Sequence, residues 1–146
     1  MFLETSFLED EEIYLDLVKT TSADPDKNWL PAYYFTIRLK SGEKIGYCDL
    51  RIGYNQNVYY GGNIGYGVHT NFRGHHYAGK ACRLLFLLAK KHGMDYLIIT
   101  CDPDNIASRR TCEYVGGILQ EIVDLPEEND MYQEGARQKC IYRFDN

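Results

Sequence analysis

Residues 68–81, Val68-His69-Thr70-Asn71-Phe72-Arg73-Gly74-His75-His76-Tyr77-Ala78-Gly79-Lys80-Ala81, constrain this chain more than any other stretch. They read as the end of an apolar strand, a short loop of Gly, Arg and His, and the start of a long helix that is apolar from Leu84 to Ala89. A strand that feeds such a loop into a helix aims several unpaired backbone N–H groups at one point, at the positive end of the helix dipole. That arrangement binds phosphate without needing a particular side chain. The ligand class it implies is a phosphorylated cofactor or a nucleotide.

The remaining chain supplies strands around this unit. Residues 12–19 alternate apolar and polar, a strand pattern. Residues 21–31 hold Asp24-Pro25-Asp26 and Pro31 and read as a loop. Residues 32–40 and 44–53 form a hairpin about Ser41-Gly42-Glu43, and a Gly/Asn-rich break at 53–57 precedes a strand ending near Val68. A helix is expected over 74–92, closed by His92-Gly93, and a second over 105–115, stopped by Gly116-Gly117. Between them Tyr96 to Cys101 is a short apolar strand, most simply a buried parallel one. Strands at 118–124 and 138–144 end the chain. The expected fold class is α/β with a mixed sheet: strands 1–4 as an antiparallel meander, then helix-strand-helix-strand-strand, in one domain over 1–146.

Composition narrows the function. The net charge of −5 argues against broad nucleic-acid binding, although Arg73, His75, His76, Lys80 and Arg83 form a local basic group. The five cysteines, Cys48, Cys82, Cys101, Cys112 and Cys140, are odd in number and form no CxxC pair. They read as reduced, buried thiols of a cytoplasmic protein, with no metal site. No basic leader opens the chain, and no apolar run approaches the roughly 20 residues of a membrane span, so neither a signal peptide nor a membrane partner is expected.

Two phosphate-loop readings compete. Gly74 to Lys80 has the GxxxxGK spacing of a P-loop, but Ala81 stands where a hydroxyl should hold magnesium. The better match is a resemblance to the GNAT superfamily of N-acyltransferases. Arg73-Gly74-His75-His76-Tyr77-Ala78 resembles that family's R/Q-x-x-G-x-G/A loop, with Val68 at the usual distance before the Arg. Asp104-Asn105-Ile106-Ala107-Ser108, followed by Gly116, resembles its second landmark. The resemblance covers about residues 32–144. It implies a sheet splayed between a central parallel pair, with acetyl-CoA as cosubstrate entering the split. It further implies that backbone groups of Tyr66, Gly67 and Val68 meet the pantetheine arm, that residues 73–78 (Arg73, Gly74, His75, His76, Tyr77, Ala78) hold the pyrophosphate, and that Asn105 and Ser108 lie at the cofactor. Many relatives dimerise, so a homodimer is compatible with it.

The chain departs from the family in four places. His76 replaces the central glycine, which implies strain if that residue takes a left-handed angle. Asn63 stands where many relatives carry a Glu base. Cys112, seven residues after Asn105, stands where many carry a Tyr acid. Residues 20–31 are too short for the helical pair that often roofs the acceptor site. The proton path therefore falls to Cys112 and His69 as catalytic candidates, with Tyr66, Asp102 and Tyr114 behind them. The expected function is an N-acetyltransferase acting by direct transfer on a primary amine of a small molecule or protein. The alternatives are a non-catalytic acyl-CoA-binding module that has lost its base, and a P-loop-like nucleotide binder. The acidic segment Asp124, Glu127, Glu128, Asp130 and Glu134 reads either as a lure for a cationic amine or as a solvated loop.

Overall fold

The structure, a computed structural model, describes residues 2–146. Its elements are β1 (Ile13–Thr21), β2 (Ala32–Leu39), β3 (Lys44–Arg51), α1 (Gln56–Gly61), β4 (Ile64–Val68), α2 (Tyr77–Lys91), β5 (Tyr96–Cys101), α3 (Ile106–Tyr114), β6 (Ile118–Asp124), α4 (Asp130–Gln133) and β7 (Gln138–Asp145). The first four strands form an antiparallel meander, and the last three form a second sheet in the order β5-β7-β6. All seven expected strands and both expected helices are present. Among the described residues no helix is long and apolar enough to cross a membrane.

One face of the meander is the core. Tyr33, Phe35 and Ile37 alternate inward on β2, and Cys48 and Leu50 stand opposite Phe35 and Tyr33 on β3. Helix α2 lies on that face and buries Ala81, Cys82, Leu84, Leu85, Leu88 and Ala89, the stripe expected of a 3.6-residue period. Leu97 and Ile99 of β5 and Tyr142 and Phe144 of β7 complete the cluster. All five cysteines are buried free thiols.

Three boundaries differ from the sequence reading. Helix α2 begins at Tyr77 rather than 74, because Gly74 (φ 90°) and His76 (φ 63°) are left-handed and cannot be helical. The short helix α1 lies where the sequence pattern gives a break and the start of a strand, and α4 lies within the acidic loop. Each is opened by an asparagine whose side chain accepts an N–H, Asn55 from Val58 at 2.9 Å and Asn129 from Met131 at 2.8 Å. Asparagine favours loops and helix caps equally, so the sequence signal was the same for both. Finally, β5 is buried as its apolar run implies, but its ladder is antiparallel, to β7.

On its other side β5 meets β4 without a ladder. The seam is closed at one point by Asn63, which is fully buried. Its N–H donates to the Ile98 carbonyl (2.6 Å) and its Oδ1 accepts the Ile98 N–H (2.9 Å). Its Nδ2 donates to the carbonyls of Arg51 (3.1 Å) and Gly53 (2.9 Å). Only a neutral amide can fill these roles together. Asn63→Asp should therefore lower stability at neutral pH by on the order of 3 kcal/mol, since a carboxylate would face two carbonyls. Burial and those carbonyls would raise the new acid's pKa above its unfolded value. The deficit should therefore be least below about pH 4 and grow as the pH rises through the folded pKa, which urea unfolding at several pH values will read.

Candidate active site

The seam opens beyond Asn63. On the β4 side, the antiparallel register with β3 (Cys48 opposite Tyr66, Asp49 opposite Gly65) is bounded by Arg51 N–H to Asn63 C=O and His69 N–H to Ile45 C=O. Alternation then turns the N–H and C=O of Tyr66 and Val68 away from β3 and toward the seam. On the β5 side the first half of the edge is occupied. The Tyr54 hydroxyl donates to the Tyr96 carbonyl at 2.7 Å, with the two rings stacked at 4.3 Å, and Asn63 takes Ile98. Two strand edges thus diverge from a fixed vertex.

At the end of the open β4 edge lies the loop singled out from the sequence. Thr70–Phe72 make one 3-10 turn, Arg73 is extended, and Gly74 and His76 are left-handed. Among the described residues none accepts a backbone N–H from Gly74 through Gly79; the first helical bond is Lys80 N–H to His76 C=O at 2.9 Å. No side chain caps α2 and its first turn holds no acid. Converging N–H groups at an uncapped positive helix end make an anion site. Arg73 is exposed, and its Nε donates to the Val68 carbonyl at 3.1 Å, which ties the guanidinium to the end of β4.

The His76 imidazole is engaged by its neighbours. Its ring stacks on Tyr114 at 4.0 Å, and Arg83 covers the same ring at 4.8 Å. Gly79 makes this possible, because a Cβ there would lie 2.8 Å from the Tyr114 ring. The His75 ring leans on Tyr77 at 5.3 Å. Lys80 points away from the loop, to Glu12 (3.0 Å), Glu11 (3.5 Å) and Asp10 (3.8 Å). A P-loop lysine must reach the phosphates, so its capture by three acids removes the main support for that reading.

Helix α3 faces the loop across the seam. Asn105 caps it, its Oδ1 accepting the Ser108 N–H at 3.2 Å, and the Ser108 hydroxyl pairs with that of Tyr66 at 2.8 Å. Burial first, and then neighbouring thiols, hold the Tyr66 phenol well above its ordinary pKa, so it keeps its proton at neutral pH. This Tyr66–Ser108 pair spans from β4 to α3, a contact that sequence order alone does not reveal.

The two residues taken from the sequence as catalytic fare differently. Cys112 has no exposure and packs with Cys101 and Tyr66 inside the core. Cys101 and burial both hold its thiol high, and a fully enclosed thiol has no path to a departing thiolate. Its position on α3 matched the expectation, but its face of the helix points inward. His69 is exposed just past β4, and its N–H and C=O are engaged with Ile45 and Phe72. Asp102 is paired with Lys139 at 2.7 Å, and Tyr114 is held in its stack.

A cavity of about 740 Å³ lies off the β1, β2 and β3 ends, lined in part by Lys19, Trp29, Tyr34, Arg51, Glu128 and Asp130. It brings two acids of the 124–134 segment against two aromatic rings. Each ring already carries an ammonium of the chain itself, Lys27 over Trp29 at 4.5 Å and Lys19 over Tyr34 at 5.0 Å. Among the described residues no group of three or more His, Cys, Asp or Glu side chains is arranged to hold a metal.

A family model described as an acetyltransferase (GNAT) domain matches residues 7–118. No curated protein matches the sequence. Among solved structures, the chain is similar to the microcin C7 self-immunity acetyltransferase MccE in complex with acetyl-CoA and AMP, at 22% identity and TM-score 0.63, over 79% of this chain and 61% of that one. It is similar to a ribosomal-protein-S5-alanine acetyltransferase from Vibrio fischeri, at 18% identity and TM-score 0.61, over 79% and 62%. It is also similar to RimJ of Mycobacterium smegmatis in complex with CoA-disulfide, at 21% identity and TM-score 0.62, over 78% and 53%. The chain thus spans less than two thirds of the length of each of these three proteins.

The burial of Cys112 has a direct consequence. Cys112→Ala should cost roughly 1–2 kcal/mol through the cavity it leaves, and Cys112 should resist Ellman's reagent until the chain is unfolded.

Proposed function

The chain belongs to the GNAT acetyltransferase domain family, and we propose that it transfers the acetyl group of acetyl-CoA directly to a primary amine of a small molecule or protein. One observation carries this reading: the β4 edge is open at Tyr66, and past a single 3-10 turn at 70–72 the chain leads into the unpaired N–H groups of residues 74–79, with Arg73 tied to the Val68 carbonyl between them. The edge suits the amide groups of a pantetheine arm, and the cluster with Arg73 suits a diphosphate. Asn105 and Ser108 border the same seam.

In this reaction the amine nitrogen attacks the thioester carbon, a C–N bond forms, and the C–S bond breaks with its electron pair going to sulfur. The thiolate needs a proton. The Ser108 hydroxyl, with the Tyr66 phenol behind it at 2.8 Å, fills the role assigned from the sequence to Cys112. The acceptor is a cationic amine. Glu128 and Asp130 at the cavity supply charge opposite to its ammonium. An acyl-CoA-binding module without chemistry is the competing reading, and it draws on Asn63 being a buried strut rather than a base.

Acetyl-CoA should raise the melting temperature, and Mg-ATP should not. Arg73→Ala should weaken CoA binding by roughly 1–3 kcal/mol in calorimetry; unchanged affinity would return Arg73 to a purely structural part in the loop. Ser108→Ala should lower kcat by roughly tenfold to a hundredfold while acetyl-CoA affinity stays near wild type. CoA binding with no acetyl transfer to any amine would favour the binding module.

A further inference from the structure

We propose that Asp49 is the general base of this transfer, taking the acceptor's ammonium proton from the outer face of the four-stranded sheet; the role rests on the transferase reading above. On β3, Cys48 and Leu50 point into the core, so Asp49 points outward, opposite Tyr34 on β2 and Gly65 on β4. Gly65 has no side chain to intervene. A Cβ built there would lie 3.0 Å from Asp49 Oδ2 and 3.3 Å from Oδ1. The carboxylate therefore rests on the backbone of β4, one residue from Tyr66, whose N–H and C=O face the seam.

The chemistry of the group suits the role. Arg51 Nη1 holds Oδ1 at 2.9 Å and leaves Oδ2 for a proton. Arg51 also lines the 740 Å³ cavity, so the base and the acceptor cavity meet at one side chain. The charged and titratable groups nearest Asp49 are Arg51 and Tyr47 on β3 and Tyr34, its neighbour on β2, with Lys19 of β1 above the Tyr34 ring; Glu128 and Asp130 line the cavity that Arg51 reaches. From β4 only glycine faces it. The side chain is 14% exposed. Burial raises its pKa, against the pull of Arg51 and of the Gly65 N–H, and burial prevails. A carboxylate displaced toward neutrality is a better base for an ammonium than an ordinary one.

The balance is simple. Asp49 Oδ2 takes one proton from the ammonium and passes it to solvent; the free amine forms the C–N bond as the C–S bond breaks, the α3-side hydroxyl protonates the departing thiolate, and the second proton shed by the new amide nitrogen restores that hydroxyl, so that one proton is released for each CoA formed. The test measures CoA release from acetyl-CoA with spermidine, tryptamine and an alanine-initiated peptide, between about pH 5 and 9, in wild type, Asp49→Asn and Asp49→Glu. Asp49→Asn should lower kcat about a hundredfold, abolish the acidic limb of the kcat profile, and leave acetyl-CoA affinity and the melting temperature unchanged. Asp49→Glu should restore part of kcat together with the limb. An Asp49→Asn protein that keeps both kcat and the acidic limb overturns this role alone. A wild type that binds acetyl-CoA and acetylates none of the three amines overturns the transferase reading and this role with it.

Discussion

Everything at the candidate site depends on how β4 and β5 are joined at one point and nowhere else. Two adjacent strands normally zip along their length, because each unpaired N–H or C=O left in the interior costs about 1–3 kcal/mol. Here the β5 edge is satisfied by side chains instead of by β4. Asn63 takes both polar groups of Ile98, and the Tyr54 hydroxyl takes the carbonyl of Tyr96. Once that half of the edge is occupied, β4 need not follow it, and the strands diverge. Gly62, at φ 85°, supports the vertex, because a Cβ there would press to 3.2 Å on the Ile98 carbonyl and the Thr100 nitrogen. The cleft is therefore produced by substituting side-chain hydrogen bonds for ladder bonds at its closed end.

The loop at the open end shows the same trade of local for global satisfaction. A non-glycine residue in the left-handed region costs roughly 1–2 kcal/mol, and His76 holds φ 63° there. The strain is offset where the ring lands. It stacks on Tyr114, which is itself covered by Arg83 and accommodated by the bare backbone of Gly79. Aromatic stacking of this kind contributes about 0.5–1.5 kcal/mol beyond burial. A glycine at 76 would relax the backbone and lose the stack on Tyr114. With histidine, the bend that exposes the N–H groups is locked by the helix on the far side of the seam.

Much of this was legible in the sequence, and the part that was not has a common cause. Strands and long helices follow from periodicity, and the left-handed demand at position 76 follows from the loop pattern. The absence of a glutamate at position 63 was equally visible. What Asn63 does instead was not, because its partners Arg51, Gly53 and Ile98 come from separate segments. Cys112 illustrates the limit of position within a motif: its place on α3 could be counted, but the face it presents is set by packing against Cys101 and Tyr66. Asp49 carried no signal at all, since a polar residue between Cys48 and Leu50 is what any half-buried strand shows.

The shortness of residues 20–31 links these departures. That segment supplies only one 3-10 turn and a bridge from Asp24 to Trp29, so the outer face of the meander is left to its own side chains, with Tyr47 57% exposed. An acceptor approaching from that side meets β3 before it meets β4, because both outward positions of β4 nearest the seam, Gly65 and Gly67, are glycine. A proton acceptor at position 63, one residue before β4, would be fully buried at the vertex and face two carbonyls. One on β3 looks over bare backbone toward the divergent edges. Making Asn63 a strut removes the base from β4, and the paired glycines let a carboxylate one strand away reach the same edge.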